Sequence, residues 1–417
     1  MLLPWAHNGS FKESIMPAFF TSISATTVTG LTTVDTATFW TPFGQVILLL
    51  LIEAGGLGVM TIASLVGLMI GGRMGLRSSI VVQSEMNALS LGDVRGLIRR
   101  VATTMFLFQL VTALILLIRY RIAYFDDWGQ AAWHAVFHAI SSFNNAGFSL
   151  NSDSLVGYTG DGWIIFPLSV AVFFGAIGFP VLAELRREWS KSDGWTIHTR
   201  LTVWGSLALF FIGTFAFGAV EWTNPGTLGA MTYWDRFVTS IEGGIMPRSG
   251  GFASIDYALV RPETLGITSI MMFIGGGSAG MAGGIKVTTF LLLAYVVIAE
   301  LRGDPEVRIG NRSINSATIR QALAIFFLGI TWIVLSALAL LAVSSHDPLA
   351  VLFEVSSAFG TVGLSTGIAP ELGVAGQVLL GFLMFLGRVG PITVAAALTL
   401  RRRRLRYHLP EERPIIG

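Results

Sequence analysis

Four short segments of the chain share a glycine that follows an apolar run and precedes Leu or Phe. A backbone that turns successive carbonyl oxygens to one side needs dihedral angles outside the usual wells of L-residues, and glycine reaches them without a Cβ penalty. Carbonyl oxygens gathered in this way can replace the water shell of a cation. The sequence therefore predicts four cation-coordinating segments, hereafter the first to fourth glycine loops. They are Val28-Thr29-Gly30-Leu31, Asn145-Ala146-Gly147-Phe148, Ser249-Gly250-Gly251-Phe252 and Thr361-Val362-Gly363-Leu364.

The glycine loops recur at intervals of about 104 to 117 residues, and other features recur with them. A large apolar residue stands ten positions before each glycine, and a run of small residues follows about 24 to 28 positions after it. A fixed internal period indicates one supersecondary unit used repeatedly. We interpret the repeated unit as an outer helix, a short pore helix that only enters the membrane, the glycine loop as the filter loop, and an inner helix. For a single loop taken alone, a turn glycine between helices is the alternative. The small-residue runs begin at Gly55, Gly175, Gly277 and Gly387.

The composition is that of a membrane protein. Of the 417 residues, 53% are hydrophobic and 12% are charged, against roughly 25% charged residues in soluble domains. Long apolar runs predict an all-α polytopic protein in a lipid bilayer. The net charge of only +2 gives no reason to expect a nucleic acid partner, and the absence of cysteine excludes disulfides and thiol chemistry. No Walker loop, dinucleotide fingerprint or nucleophile elbow is present, so the sequence predicts neither an enzyme nor a cofactor site in this chain.

The basic residues predict how the chain crosses the membrane. Nineteen of the 27 Lys and Arg residues fall in four blocks, at residues 73–100, 186–200, 302–320 and 401–413. By the positive-inside rule these blocks and the C-terminus are cytoplasmic in the plasma membrane, and the glycine loops face outward. Acidic residues follow three of the loops, at Asp35, Asp153 and Asp256. They either raise the local cation concentration or cap a following turn.

The period divides the chain into four pseudo-repeats around one pore. We expect repeat 1 at residues 1–72, repeat 2 at 73–190, repeat 3 at 191–302, and repeat 4 with a basic cytoplasmic tail at 303–417. Inner helices are predicted near residues 43–71, 162–187, 265–300 and 375–402. The first outer helix is missing, because only twelve residues precede the first pore helix. A truncated or misassigned start is the favoured explanation, and a true lack of the helix is the alternative.

Repeat 3 carries a glycine-rich segment, residues 275–286, where an inner helix is expected. Each interior glycine costs a helix roughly 1 kcal/mol relative to alanine, and non-helical backbone at membrane depth is tolerated where it lines a cavity. The segment is therefore predicted to be a mobile gate loop, and close helix packing is the alternative. Its candidate gate residues are Gly275, Gly276, Gly277, Ser278, Ala279, Gly280, Gly283, Gly284 and Lys286.

Arg388 is predicted to lie too deep in the membrane for its charged side chain to reach the surface. It lies thirteen residues before Arg401, roughly 20 Å along a helix. Its charge would repel ions from a resting site, anchor the glycine-rich segment through carbonyls, or simply tie helices together. His134 and His138 have helical spacing, but no acidic third ligand accompanies them. We therefore interpret them as structural rather than metal-binding.

These motifs resemble the Ktr/Trk/HKT superfamily of potassium transporters, most closely the membrane subunit of its Ktr branch. The fourth loop also resembles the TVGYG filter of potassium channels. The resemblance covers nearly the whole chain. It is carried by the first loop with Val34-Asp35-Thr36, by Pro247-Arg248 before the third loop, by Ala282-Gly283-Gly284-Ile285-Lys286, by Gly387-Arg388-Val389-Gly390-Pro391, and by Gly75-Leu76-Arg77.

The resemblance implies potassium uptake through one filter per chain, with potassium at the backbone carbonyls of the four loops. It also implies that the repeat-3 loop is the gate and that Arg388 contacts it. A homodimer is expected to sit on a ring of cytosolic nucleotide-binding regulatory proteins of the RCK type, with sodium as a possible activator. Gly30 favours potassium, since a serine in the first loop accompanies sodium transport in plant relatives.

Three functional hypotheses follow from the sequence. The leading one is a channel-like potassium uptake protein with a gated, single-chain filter. The second is a secondary transporter that couples potassium to sodium or protons, a class that often has broken helices at the membrane midplane. The third is a non-transporting scaffold for a cytosolic partner, which the intact loop glycines disfavour.

Overall fold

The computed structural model of the chain describes residues 1–58, 94–188 and 194–399. These residues are predominantly helical and include one small antiparallel hairpin, β1 (Arg308–Ile309) with β2 (Arg312–Ser313). The helices, in chain order, are α1 (Phe11–Thr26), α2 (Thr36–Phe39), α3 (Pro42–Leu57), α4 (Val94–Ala123), α5 (Trp128–Phe143), α6 (Gly162–Ile177), α7 (Phe179–Glu188), α8 (Ile197–Glu221), α9 (Tyr233–Ile245), α10 (Pro262–Phe273), α11 (Val287–Arg302), α12 (Ser316–Val343), α13 (Pro348–Gly360) and α14 (Val374–Thr399).

Three helices of the described residues are long and apolar enough to cross a bilayer by themselves. They are the Arg99–Ala123 part of α4, all of α8 and all of α12, with 25, 25 and 28 residues. About 20 residues suffice for a span. Thr196 and Asn315 begin α8 and α12 with side chains that accept a backbone N–H, as N-cap residues do. The fold is therefore that of a polytopic membrane protein.

A shorter helix precedes each glycine loop, and these four are called the loop helices: α1, α5, α9 and α13. They have 13 to 16 residues, fewer than a simple span needs. Long helices α4, α8 and α12 pack against α5, α9 and α13, whereas α1 packs against α3 and α14. The apolar residue ten positions before the glycine is completely buried in three of the loop helices, as Phe20, Phe137 and Phe353.

Besides the predicted inner helix at residues 265–300, which the glycine-rich segment interrupts, two other predicted inner helices are not continuous. The expected helix at residues 162–187 is wrong in this respect, because α6 and α7 are bent by 100° at Gly178. Gly178 has a φ of 102°, which favours glycine, and Pro180 has no N–H to continue the ladder of α6. The expected helix at residues 43–71 ends at Leu57, and Gly58 caps it with a φ of 83°. The rest of that prediction lies outside the described residues.

The glycine-rich segment separates α10 from α11. Ile274 and Ile285 form an isolated parallel bridge, and the Gly275 N–H donates to the Ile285 carbonyl at 2.8 Å. The Val287 N–H donates to the Gly276 carbonyl at 3.0 Å, so the two ends of the segment lie side by side. The break that the glycine density predicts is therefore present as a closed loop between two helix halves.

Candidate ion-coordinating site

The four glycine loops share one backbone conformation. In each, the glycine and the residue two positions before it have positive φ values. A left-handed non-glycine residue costs roughly 1–2 kcal/mol and persists only where its surroundings enforce it. Sequence reasoning predicted the role of the glycine but missed its left-handed non-glycine counterpart. The φ values are 55°, 58°, 68° and 47° at Val28, Asn145, Ser249 and Thr361, and 89°, 68°, 74° and 98° at Gly30, Gly147, Gly251 and Gly363.

The glycine loops also contact one another in a closed cycle. Each loop glycine faces the backbone carbonyl of the residue that precedes the glycine in the next loop. A Cβ atom at the glycine would overlap that carbonyl or lie within 3.2 Å of its oxygen. The contacts run from the first loop to the second, third and fourth, and back to the first. The pairs are Gly30 with Ala146, Gly147 with Gly250, Gly251 with Val362, and Gly363 with Thr29.

In three repeats a serine stands six residues before the loop glycine and forms a hydrogen bond to the backbone of its own loop. Ser24 accepts the Gly30 N–H at 3.0 Å, and Ser357 accepts the Gly363 N–H at 3.1 Å. Ser141 instead donates to the Phe148 carbonyl at 2.8 Å. All three serines are buried. Sequence reasoning missed them, although their common offset from the loop glycine was visible in the alignment of the repeats.

The small-residue runs bring inner helices close to the loop helices. A Cβ atom at the first glycine of the run would overlap a carbonyl at the C-terminal end of the loop helix of the same repeat. This holds for Gly55 with Thr26, Gly175 with Phe143 and Gly387 with Phe359. The third repeat departs from the predicted equivalence, because Gly277 faces the Ile177 carbonyl of the neighbouring repeat.

The glycine-rich segment lies against the bend between α6 and α7. The Gly277 N–H donates to the Ala176 carbonyl at 2.8 Å, and the Met281 N–H donates to the Gly175 carbonyl at 3.0 Å. In the reverse direction, the Phe179 N–H donates to the Ala279 carbonyl at 3.3 Å. Backbone hydrogen bonds to a neighbouring inner helix therefore hold the segment in place.

Arg388 contacts the same segment. Its guanidinium donates to the carbonyls of Met281, in the segment, and Gly55, near the end of α3. Lys286 donates to the Ala282 carbonyl at 2.6 Å. Of the roles considered for Arg388, this geometry favours anchoring of the segment, and the same contacts tie α14 to α3.

Two side chains of the third loop region join the segment to the loops. The Ser249 hydroxyl donates to the Thr361 carbonyl of the fourth loop at 2.6 Å, and the Gly283 N–H donates to Ser249 Oγ at 3.4 Å. Arg248 is 5% exposed and donates to the carbonyls of Ser206 at 3.0 Å and Gly275 at 3.2 Å. Sequence reasoning quoted Arg248 only as part of a motif and missed this contact.

The polar residues near the loops have hydrogen-bond partners within the protein. Asp35 caps α2 by accepting the Ala37 N–H at 2.9 Å, and Asp256 accepts the Ala258 N–H at 2.9 Å. The capping alternative therefore describes both. His138 is completely buried, and its Nε2 lies 3.0 Å from Ser149 Oγ. Among the residues that the structure describes, no three His, Cys, Asp or Glu side chains are grouped to hold a metal ion.

The fold and these loops define a polytopic helical membrane transporter. The chain belongs to the TrkH family of cation transport proteins, whose family model matches residues 5–403. This is a family of transporters and not of enzymes.

Two relatives and one solved structure match most of the chain. It is 40% identical to the Ktr system potassium uptake protein B of Bacillus subtilis, over 91% of this chain and 85% of that protein. It is 32% identical to the potassium/sodium uptake protein NtpJ of Enterococcus hirae, over 100% of this chain and 92% of that protein. The crystal structure of the potassium transporter TrkH from Vibrio parahaemolyticus matches with a TM-score of 0.71 at 19% identity, over 95% of this chain and 80% of that one. This last match supports the fold alone.

Proposed function

We propose that the chain takes up potassium across the plasma membrane through a single selectivity filter formed by its four glycine loops. The observation that carries the proposal is the closed cycle of loop contacts, with left-handed residues at the same two positions of every loop. The proposal places four pseudo-repeats around one pore. The names of the relatives, which include potassium uptake proteins, support potassium as the substrate.

The chemistry of such a filter is electrostatic. Backbone carbonyls would replace the hydration shell of the ion, with no charged side chain needed. Each glycine loop begins within a few residues of the C-terminal end of its loop helix, where the helix dipole is partially negative. Four such ends directed at one centre favour a cation over an anion.

We also propose that residues 275–286 form the gate and that Arg388 holds it in a resting position. The hydrogen bonds from Arg388 to Met281 and from Gly277 to Ala176 support this role. A gate needs two arrangements of similar free energy, and a glycine-rich loop between two helix halves has few side chains to pin it.

For regulation, we propose a homodimer that binds a cytosolic ring of nucleotide-binding RCK-type proteins. The sequence contains no nucleotide motif of its own, so nucleotide control requires a second protein. Three relatives are named as parts of a Ktr system, which is consistent with more than one component.

The test is ion uptake in a host that lacks its own potassium uptake systems, with and without external sodium. We expect wild-type protein to restore potassium uptake. Gly30→Ser should lower the ratio of potassium to sodium uptake, because a side chain there would overlap the Ala146 carbonyl and Gly30 has a φ of 89°. Gly266→Ser is the matched control, because Gly266 lies in α10 with no atom within 4 Å of the added Cβ.

The outcomes separate the candidate functions. An unchanged uptake ratio in Gly30→Ser would contradict the filter assignment. Potassium uptake that requires sodium and is accompanied by sodium entry in fixed proportion would favour a coupled transporter. The name of the Enterococcus hirae relative, a potassium/sodium uptake protein, makes this the main alternative. Sodium that accelerates potassium uptake without entering would identify it as an activator.

A further inference from the structure

A polar side chain stands nine residues before each loop glycine, inside the loop helix. All four of these side chains are at most 3% exposed. A buried polar group is costly unless it is hydrogen-bonded, so the partners of these residues show what they are placed to do. The four are Thr21, His138, Glu242 and Glu354.

Three of the four reach across their own loop to a hydroxyl on its far side. His138 Nε2 lies 3.0 Å from the hydroxyl oxygen of Ser149, two residues after the loop glycine. The Ser365 hydroxyl, also two residues after the glycine, donates to Glu354 at 2.7 Å. In the third repeat the hydroxyl of Ser254, three residues after the glycine, donates to Glu242. His138, Glu242 and Glu354 are hereafter the anchoring residues.

The first repeat has no such bond. The Thr21 hydroxyl is buried and has no hydrogen-bond partner among the described residues. The same is true of the hydroxyl of Thr33, three residues after Gly30. The contrast supplies an internal comparison, since one of four equivalent positions lacks the contact that the other three make.

We propose that the anchoring residues are positioning residues for the filter, which fix the far ends of the second, third and fourth loops and so set discrimination between potassium and sodium. The proposal rests on the proposed function. The near end of a loop carries the left-handed residue, and in the first and fourth loops a serine of the loop helix also accepts the N–H of the loop glycine. The anchoring bond holds the segment that follows the glycine against the same helix. With both ends fixed, the carbonyl ring resists contraction around the smaller sodium ion.

The decisive experiment removes the hydrogen bond between Ser365 and Glu354 by substituting each of its two partners in turn. Glu354→Ala and Ser365→Ala should each lower the ratio of potassium to sodium uptake about fivefold, in line with the loss of one hydrogen bond. The double variant should lose less than the sum of the two single variants, because both substitutions delete the bond between Ser365 and Glu354. Each also removes one acceptor of its own, since Glu354 accepts the Thr366 N–H and Ser365 accepts the Gly367 N–H. Glu354→Gln should restore most of the ratio, because the amide oxygen still accepts from Ser365.

Two controls separate positioning from general destabilisation. Thr227→Ala removes another buried hydroxyl, one that donates to Glu221 at the end of α8. It should lower thermal stability but keep the uptake ratio. Thr21→Val keeps the shape of the side chain and deletes an unpartnered hydroxyl, so it too should keep the ratio.

The possible failures are distinct. A wild-type protein that takes up no potassium would overturn the proposed function. A selective wild type whose ratio survives both Glu354→Ala and Ser365→Ala would overturn the anchoring role alone. Loss of the ratio in Thr227→Ala would also contradict it, since fold stability would then explain the effect. If Glu354→Ala fails to fold, Ser365→Ala and Glu354→Gln still decide the question.

Discussion

Just after the first glycine loop, the Asp35 carboxylate accepts three hydrogen bonds. Two come from its own segment, from the Ala37 N–H at 2.9 Å and the Thr38 hydroxyl at 2.8 Å. The third comes from the Ser152 hydroxyl, at 2.6 Å, in the segment that follows the second loop. One carboxylate thus caps a short helix and joins two repeats. Although partial burial by itself would raise the pKa of Asp35, the hydrogen bonds from Ser152, Ala37 and Thr38 lower it below its ordinary value.

Because the pKa of Asp35 is lowered in the folded state, the direction in which pH changes the stability of the fold can be stated. The carboxylate stabilises the folded state above its unfolded pKa, and this contribution is lost as pH falls through the lower folded pKa. We expect Asp35→Asn to lower the free energy of unfolding by about 1 kcal/mol at pH 7, because both carboxylate oxygens accept hydrogen bonds and the amide nitrogen of Asn cannot replace one of them. The difference from wild type should shrink below about pH 4. Thermal unfolding in detergent at both pH values measures it.

Asp304→Asn is the control for this prediction, because Asp304 is an exposed carboxylate on a surface loop. It should leave the unfolding midpoint unchanged at both pH values. An Asp35→Asn protein as stable as wild type at pH 7 would show that the three hydrogen bonds contribute nothing net.

At the scale of single residues, the sequence predicted the loop glycines but not their neighbours. Val28, Ser249 and Thr361 adopt left-handed angles although their types disfavour them. The conformation is imposed by contacts with other loops more than 100 residues away, and a local pattern carries no trace of such contacts. Ser24 and Ser357 were within reach of prediction, since their offset from the glycine repeats.

At the scale of elements, the long helices and the break in repeat 3 followed from apolar length and glycine density. The bend at Gly178 did not. One glycine inside an apolar run is compatible with a straight helix, and what it permits here is a close approach to the Ser278 carbonyl. That partner belongs to the next repeat, so the direction of the chain after Ile177 is set by tertiary packing.

The glycine-rich segment gives a prediction at the same scale. Deletion of residues 276–283 should raise potassium flux, because it removes the loop that we propose blocks the path, together with the Met281 carbonyl that Arg388 holds. The deletion is sterically feasible, since the Ile274 bridge to Ile285 and the bond from Gly275 to Ile285 already place the two ends together. Flux into proteoliposomes is the measurement.

The variant that lacks residues 276–283 must first be shown to express normally and to elute as a single species in size-exclusion chromatography. With that established, a flux below that of wild type would contradict the gate, and would indicate that the segment supports the filter instead. The Gly283 N–H donates to Ser249 of the third glycine loop, so the segment would support the filter through this hydrogen bond.

At the scale of the whole molecule, the internal period predicted that the four loops are equivalent parts of one pore. That arrangement stays a prediction, and the loops share positive φ values at the same two positions. The period did not predict how the repeats differ. Gly277 departs from the packing of Gly55, Gly175 and Gly387, and Arg248 links the third loop to the glycine-rich segment. These differences depend on which repeats are neighbours in space, which a period along the chain does not encode.

The orientation in the membrane is the last prediction, and the absence of cysteine makes it directly testable. Asp126, after α4, and Asp304, after α11, are both exposed aspartates. The proposed topology has three crossings between them, namely α6 with α7, then α8, then α10 with α11, so they lie on opposite sides. Because residues 302–320 are basic, Asp304 should face the cytoplasm. An impermeant maleimide should label Asp126→Cys in intact cells and Asp304→Cys only after permeabilisation. Labelling of Asp304→Cys from outside would contradict the crossings, provided that the variant still takes up potassium.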